Sequence, residues 1–154
     1  MKRTKLRVKG TSTTAQIKQD IQDLVRLIVT YRDKGCVLRK LRKCGVEAKV
    51  VNRKVVSDTV IQADHLVTRA NSATYADTRL IVCVCKGCHA WKHWNEKAYE
   101  KLVRITLPNE RKNLWDKAEE ARQAHKTYKM DWNLEKVVLE KELKFYELQE
   151  QWND

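Results

Sequence analysis

A chain of 154 residues has room for one domain, or for one small domain with a helical appendage. Its 42% hydrophobic and 34% charged residues are ordinary for a soluble globular protein with a modest core, and no run of about 18 apolar residues offers a membrane span. A net charge of +12, with a sequence pI of about 9.6, suits a polyanionic partner such as nucleic acid.

In chain order, residues 1–10 (MKRTKLRVKG) carry five Lys/Arg and no acid, which reads as a flexible basic arm over 1–12. The arm lacks the apolar stretch of a secretory signal, so a cytoplasmic location is expected. From Thr14 a helical period sets in, with Ile17, Ile21, Leu24, Ile28 and Tyr31 on one stripe and Gly35 as its stop. Residues 32–54 hold nine Lys/Arg against Asp33 and Glu47. Val46–Val51 and Val55–Ile61 favour strands, 66–78 reads as a polar loop, and Arg79–Val84 is a short apolar run of strand type. From Cys85 onward the composition turns helical as far as Ile105, and Leu107-Pro108 marks a break. Two more helices are expected, over about 109–127 and 133–151, paired as a helical hairpin. Residues 130–154 are acidic, with seven acids and three lysines. The expected fold is α+β and mostly helical: the basic arm, a metal-stapled core with its N-terminal helix over 13–106, and C-terminal helices over 107–154.

Five cysteines, Cys36, Cys44, Cys83, Cys85 and Cys88, point to metal or redox chemistry rather than a disulfide framework. Cys85 and Cys88 have the spacing of a zinc knuckle, and Cys36 with Cys44 is the natural pair to complete a tetrahedral thiolate site. Cys83 alternates with Cys85 on a strand and reads as a buried apolar residue.

A second constellation is Asp64-His65, at the end of a strand, with His89 and His93 one helical turn apart. One carboxylate and two imidazoles can hold a hydrolytic divalent ion, Mg²⁺ or Mn²⁺, with positions left for water and phosphate. His65 points differently from its neighbour, as a general base acting on water should. Lys92, Arg69 and the cluster Arg39, Lys40, Arg42 and Lys43 are candidate phosphate contacts.

The order Cys…Cys-Gly, then Asp-His, then CxxCH resembles HNH (ββα-metal) endonucleases that carry a structural zinc. It is more closely similar to the NinG (Rap) recombination endonucleases of lambdoid phages, from about Gln16 to Gln149. The residues that carry this are IKQDIQDLV…YRDKGC, Cys44-Gly45, a histidine about twenty residues ahead of CxxC, and Trp132-x-x-Glu135 opening the last helix. The Asp64-His65 and Cys88-His89 pairs are also similar to those of T-even phage endonuclease VII. Asp64-His65 with His89-x3-His93 resembles the metal site of colicin-type DNases. The resemblance implies cleavage of branched DNA, such as Holliday junctions and displacement loops, during phage recombination in a bacterial host. Symmetric resolution of a junction implies a homodimer.

The chain departs from the HNH pattern at the middle Asn, whose place is taken by Leu80. Arg79, Asp77 or Asn71 substitutes, or the backbone alone orients His65. The NinG relatives more often show Asn where this chain has His89. Two other readings fit the same residues: an HNH nuclease acting on ordinary duplex DNA, and a non-catalytic zinc-binding DNA-binding module.

Overall fold

The structure is a computed structural model and describes residues 13–68, 74–122 and 129–154; the basic arm lies outside them. Five helices and two small antiparallel sheets make an α+β fold among the described residues. α1 spans Thr14–Asp33, with the Thr13 hydroxyl capping Gln16 N–H at its start. The expected stripe is its buried face, where Ile21, Leu24, Val25 and Ile28 enter the core.

The helix stops because Lys34 turns left-handed (φ 57°) and Gly35 follows at φ 131°. Only glycine suits that second position. A Cβ there would sit 2.5 Å from the Val46 carbonyl oxygen, inside the bridge that Gly35 makes to Glu47.

β1 (Ala48–Val51) and β2 (Lys54–Ser57) form a hairpin closed by Asn52 and Arg53, both at positive φ, as a tight two-residue turn requires. The strand expected over Val55–Ile61 is divided. The Ser57 hydroxyl bonds the Thr59 carbonyl, the chain bends, and β3 (Ile61–His65) begins afresh. β3 pairs with β4 (Ile81–Cys85), with Asp64 opposite Val82 and His65 opposite Ile81. β4 starts later than its apolar run because Asp77 caps a 3-10 turn over Thr78–Leu80.

β4 is buried throughout and runs directly into α2 (Lys86–Lys92). The single helical run expected after Cys85 is two helices. A turn at His93–Asn95, held by the Asn95 amide on the Trp91 carbonyl, separates α2 from α3 (Glu96–Thr106).

Pro108 ends α3 and leads into α4 (Asn109–Ala121), whose Trp115 and Ala118 are buried. Proline fits there because it needs no backbone donor. α5 (Trp132–Asn153) takes α1, not α4, as its main partner, so the expected C-terminal hairpin is not the packing found. Leu139 and Leu143 of α5 are 1% and 0% exposed, and Tyr146 stacks on Tyr31 with ring centroids 6.2 Å apart. The reason lies in matched faces: α1 offers a full aliphatic stripe to Leu139 and Leu143. Ion pairs border the contact: Lys34–Glu150 and Arg53–Glu147 use up acids of α5, and Lys136 of α5 pairs with Asp20 of α1. No described helix is long and apolar enough to cross a membrane.

Candidate functional site

Cys36, Cys44, Cys85 and Cys88 converge, with their sulfur atoms all within 4.8 Å of one another. Two loops build this cluster. In the first, Cys36 N–H bonds the Val46 carbonyl at 2.9 Å, and Gly45 (φ 64°) turns its N–H to the Arg39 carbonyl. In the second, Cys85 ends β4 and caps α2, its sulfur accepting Cys88 N–H at 3.4 Å. A tetrahedral ion with metal–sulfur bonds of about 2.3 Å needs sulfurs roughly 3.8 Å apart, so a small inward movement completes the geometry. The donor set can hold a metal ion, and four sulfurs favour a soft or borderline one.

Burial pushes the Cys36 thiol up and the Cys88 thiol up to about 11. Cys85 goes the other way: burial opposes ionisation, but the Cys88 N–H and the neighbouring thiols hydrogen-bond to its sulfur and prevail. Cys83 lies outside the cluster, buried on β4, as its alternation implies.

Part of the second constellation meets where α2 folds back on the β3–β4 hairpin, although among the described residues only the four cysteines bring three or more ligand atoms within reach of one ion. Asp64 is buried (6% exposed), and its Oδ1 lies 3.6 Å from His89 Nε2. His93, at the end of α2, sets its ring edge-on to His89 with centroids 5.1 Å apart. Burial lowers the His89 pKa; Asp64 opposes this, while Lys92 and His93 add to it. The ring is therefore neutral near pH 7, the form that ligates metals.

His65 Nε2 lies 2.8 Å from the Tyr75 carbonyl. A carbonyl only accepts, so in the neutral ring Nε2 carries the hydrogen and Nδ1 the lone pair. A backbone carbonyl is therefore one of the groups that orient this ring. Asp77 and Arg79 are instead paired with each other at 2.8 Å, and Asn71 lies outside the described residues. Asp64, His65, Thr68 and His89 together line an open groove of about 510 Å³.

Lys92 and Tyr99 give this site a feature the sequence does not announce. Lys92 Nζ lies 2.9 Å from each Asp64 carboxylate oxygen, and the buried Tyr99 hydroxyl donates to Oδ2. Burial first, then the Asp64 charge, pushes the Tyr99 phenol far above its ordinary pKa, so it stays a donor. Lys92 is thus turned inward rather than towards solvent.

The other candidate phosphate contacts divide. Arg39 is half-buried and bonds the Asp33 and Cys36 carbonyls at 3.0 Å, shaping the first cysteine loop. Arg42 covers the Trp91 ring at 4.0 Å. Lys40 and Lys43 are exposed, and Arg69 lies outside the described residues.

Beneath β4 lies a buried ionic knot that no sequence motif announces. Asp33 pairs with Arg32 at 2.6 Å and accepts Cys83 N–H, while Arg32 and Arg111 both donate to the Ile81 carbonyl. Burial, then Arg32, lowers the Arg111 pKa to about 10. The knot fixes the strand that ends in Cys85, tying α1 and α4 to the cysteine cluster. No family model, curated protein or solved structure matches the chain.

Proposed function

We propose that this protein is a metal-dependent, structure-selective DNA endonuclease with a ββα-metal core, acting on branched DNA. The observation that carries the reading is the meeting of Asp64 and His89 across the junction of β3 and α2, with His65 on the same groove. In this reading β3, β4 and α2 are the ββα unit, and Cys36, Cys44, Cys85 and Cys88 hold a structural zinc. Asp64, His89 and His93 would hold Mg²⁺ or Mn²⁺, which when bound supplies charge neutralisation at the scissile phosphate and leaving oxygen.

The chain's own part is proton transfer and positioning. His65, oriented by the Tyr75 carbonyl, takes the proton of the attacking water at Nδ1. Tyr99 holds the Asp64 carboxylate in one orientation, as partners of metal ligands do. Lys92 holds the same carboxylate, and an ion bound there would free it to contact phosphate. The +12 charge supplies affinity for the backbone, with Lys40 and Lys43 exposed near the cysteine loop.

The Lys92–Asp64 contact also supports a second reading, a non-catalytic zinc-binding DNA module in which that ion pair is permanent. Incubating the protein with a synthetic four-way junction and a linear duplex of equal length, with Mg²⁺ or Mn²⁺, separates the two. Cutting of the junction with the duplex intact is the expected outcome. Efficient cutting of the linear duplex assigns a general nuclease, and tight binding with no cutting assigns the module.

A further inference from the structure

Opposite the face that α5 buries on α1, Leu134, Val138, Phe145, Leu148 and Trp152 are at least half exposed, Trp152 to 85%. With Lys141 these positions follow a 4-3-4-3-4 spacing, the heptad seam of a coiled coil, along the whole helix. At 1.5 Å per residue the stripe runs roughly 27 Å. Contiguous exposed apolar surface on this scale marks a protein contact.

We propose that this stripe is a dimerisation surface and that its occupant is α5 of a second copy, packed antiparallel. Charge argues against nucleic acid as the occupant, because residues 130–154 carry seven acids against three lysines in a chain of net +12. Several of those acids turn to the body of their own chain: Glu140 and Glu147 to Arg53, and Glu150 to Lys34. That leaves the seam uncharged except for Lys141.

The register is self-complementary. A two-fold axis at the level of residue 143 sets Leu134 opposite Trp152 of the copy, Val138 opposite Leu148, and Lys141 opposite Phe145. Lys141 then meets an aromatic ring, which is favourable to an ammonium group, while Glu142 accepts from Thr78 of its own chain. Parallel pairing would instead stack Lys141 on Lys141 in the same layer. The single charge in the seam therefore selects the antiparallel arrangement.

This inference does not rest on the nuclease reading, and mass rather than cleavage tests it. Sedimentation equilibrium of the full chain without DNA should show a dimer across the micromolar range. Val138→Glu with Leu148→Glu should give a monomer of unchanged circular dichroism. Lys141→Leu should tighten the dimer by about tenfold or more, equivalent to about 1.4 kcal/mol, and it decides the matter if the double variant misfolds. Benzoylphenylalanine in place of Val138 should photocrosslink to the Phe145–Trp152 stretch of an isotopically labelled copy. A wild-type monomer throughout that range, a folded double variant that remains dimeric, no tightening in Lys141→Leu, or crosslinks centred on residue 138 of the copy would each overturn the proposal.

Discussion

Lys92 Nζ sits 2.9 Å from both carboxylate oxygens of Asp64, at the position that a metal ion bound by this carboxylate would contest. The pair is mostly buried, with side-chain exposures of 26% for Lys92 and 7% for Asp64. Removing one partner of such a pair leaves an uncompensated charge, at a cost of about 3–5 kcal/mol. Lys92→Met should therefore melt lower than wild type in chelator, regain stability as Mn²⁺ is added, and need less Mn²⁺ for half-saturation. A variant whose melting is indifferent to Mn²⁺ would show that Asp64 is not a ligand.

Tyr99→Phe tests the orientation of the same carboxylate. It removes one donor to a buried carboxylate, a loss of about 1–3 kcal/mol. The expected outcome is a raised Mg²⁺ or Mn²⁺ requirement, with junction affinity unchanged. Wild-type metal dependence together with lowered stability would reduce Tyr99 to a packing role.

The cysteine cluster should hold one zinc per chain, and metal analysis of Cys85→Ser or Cys88→Ser should show it lost together with thermal stability. Cys83→Ala should keep the zinc, because that thiol is buried elsewhere on β4. Stoichiometric zinc in the Cys85→Ser and Cys88→Ser proteins would contradict the assignment.

The pH dependence of that site follows from its thiols. Burial holds Cys36 and Cys88 protonated at neutral pH, while Cys85 is shifted the other way. Zinc binds thiolates, so binding must release protons and weaken as pH falls. Calorimetry in buffers of different ionisation enthalpy should report at least about two protons released per ion near pH 7, those of Cys36 and Cys88. Release of fewer than about two would mean that thiols other than these are the ligands.

Much of this arrangement is legible in the sequence where local chemistry decides it. The α1 stripe, the Gly35 stop and the exclusion of Cys83 from the cysteine set rest on spacing and backbone freedom, and each is found in the structure. The division between β2 and β3 was not legible, because β-favouring residues lie on both sides of the bend at residues 58–59. The break between α2 and α3 was hidden for a related reason: His93, Trp94 and Asn95 are all tolerated in helices. Only that break and tertiary packing bring Tyr99 to a carboxylate on β3. The pairing of α5 with α1 depends on which of two helices offers the better apolar face, a comparison across more than a hundred residues.

Asp64, His65 and His89 are proposed to perform hydrolysis, and single-turnover cleavage of a four-way junction at saturating Mn²⁺ tests this most directly. His65→Ala should bind junction and metal as wild type does and cut at least about a hundredfold more slowly, as loss of a general base requires. Asp64→Ala and His89→Ala should shift the Mn²⁺ concentration needed for cutting. A His65→Ala protein that cuts at the wild-type rate would contradict the account at its centre.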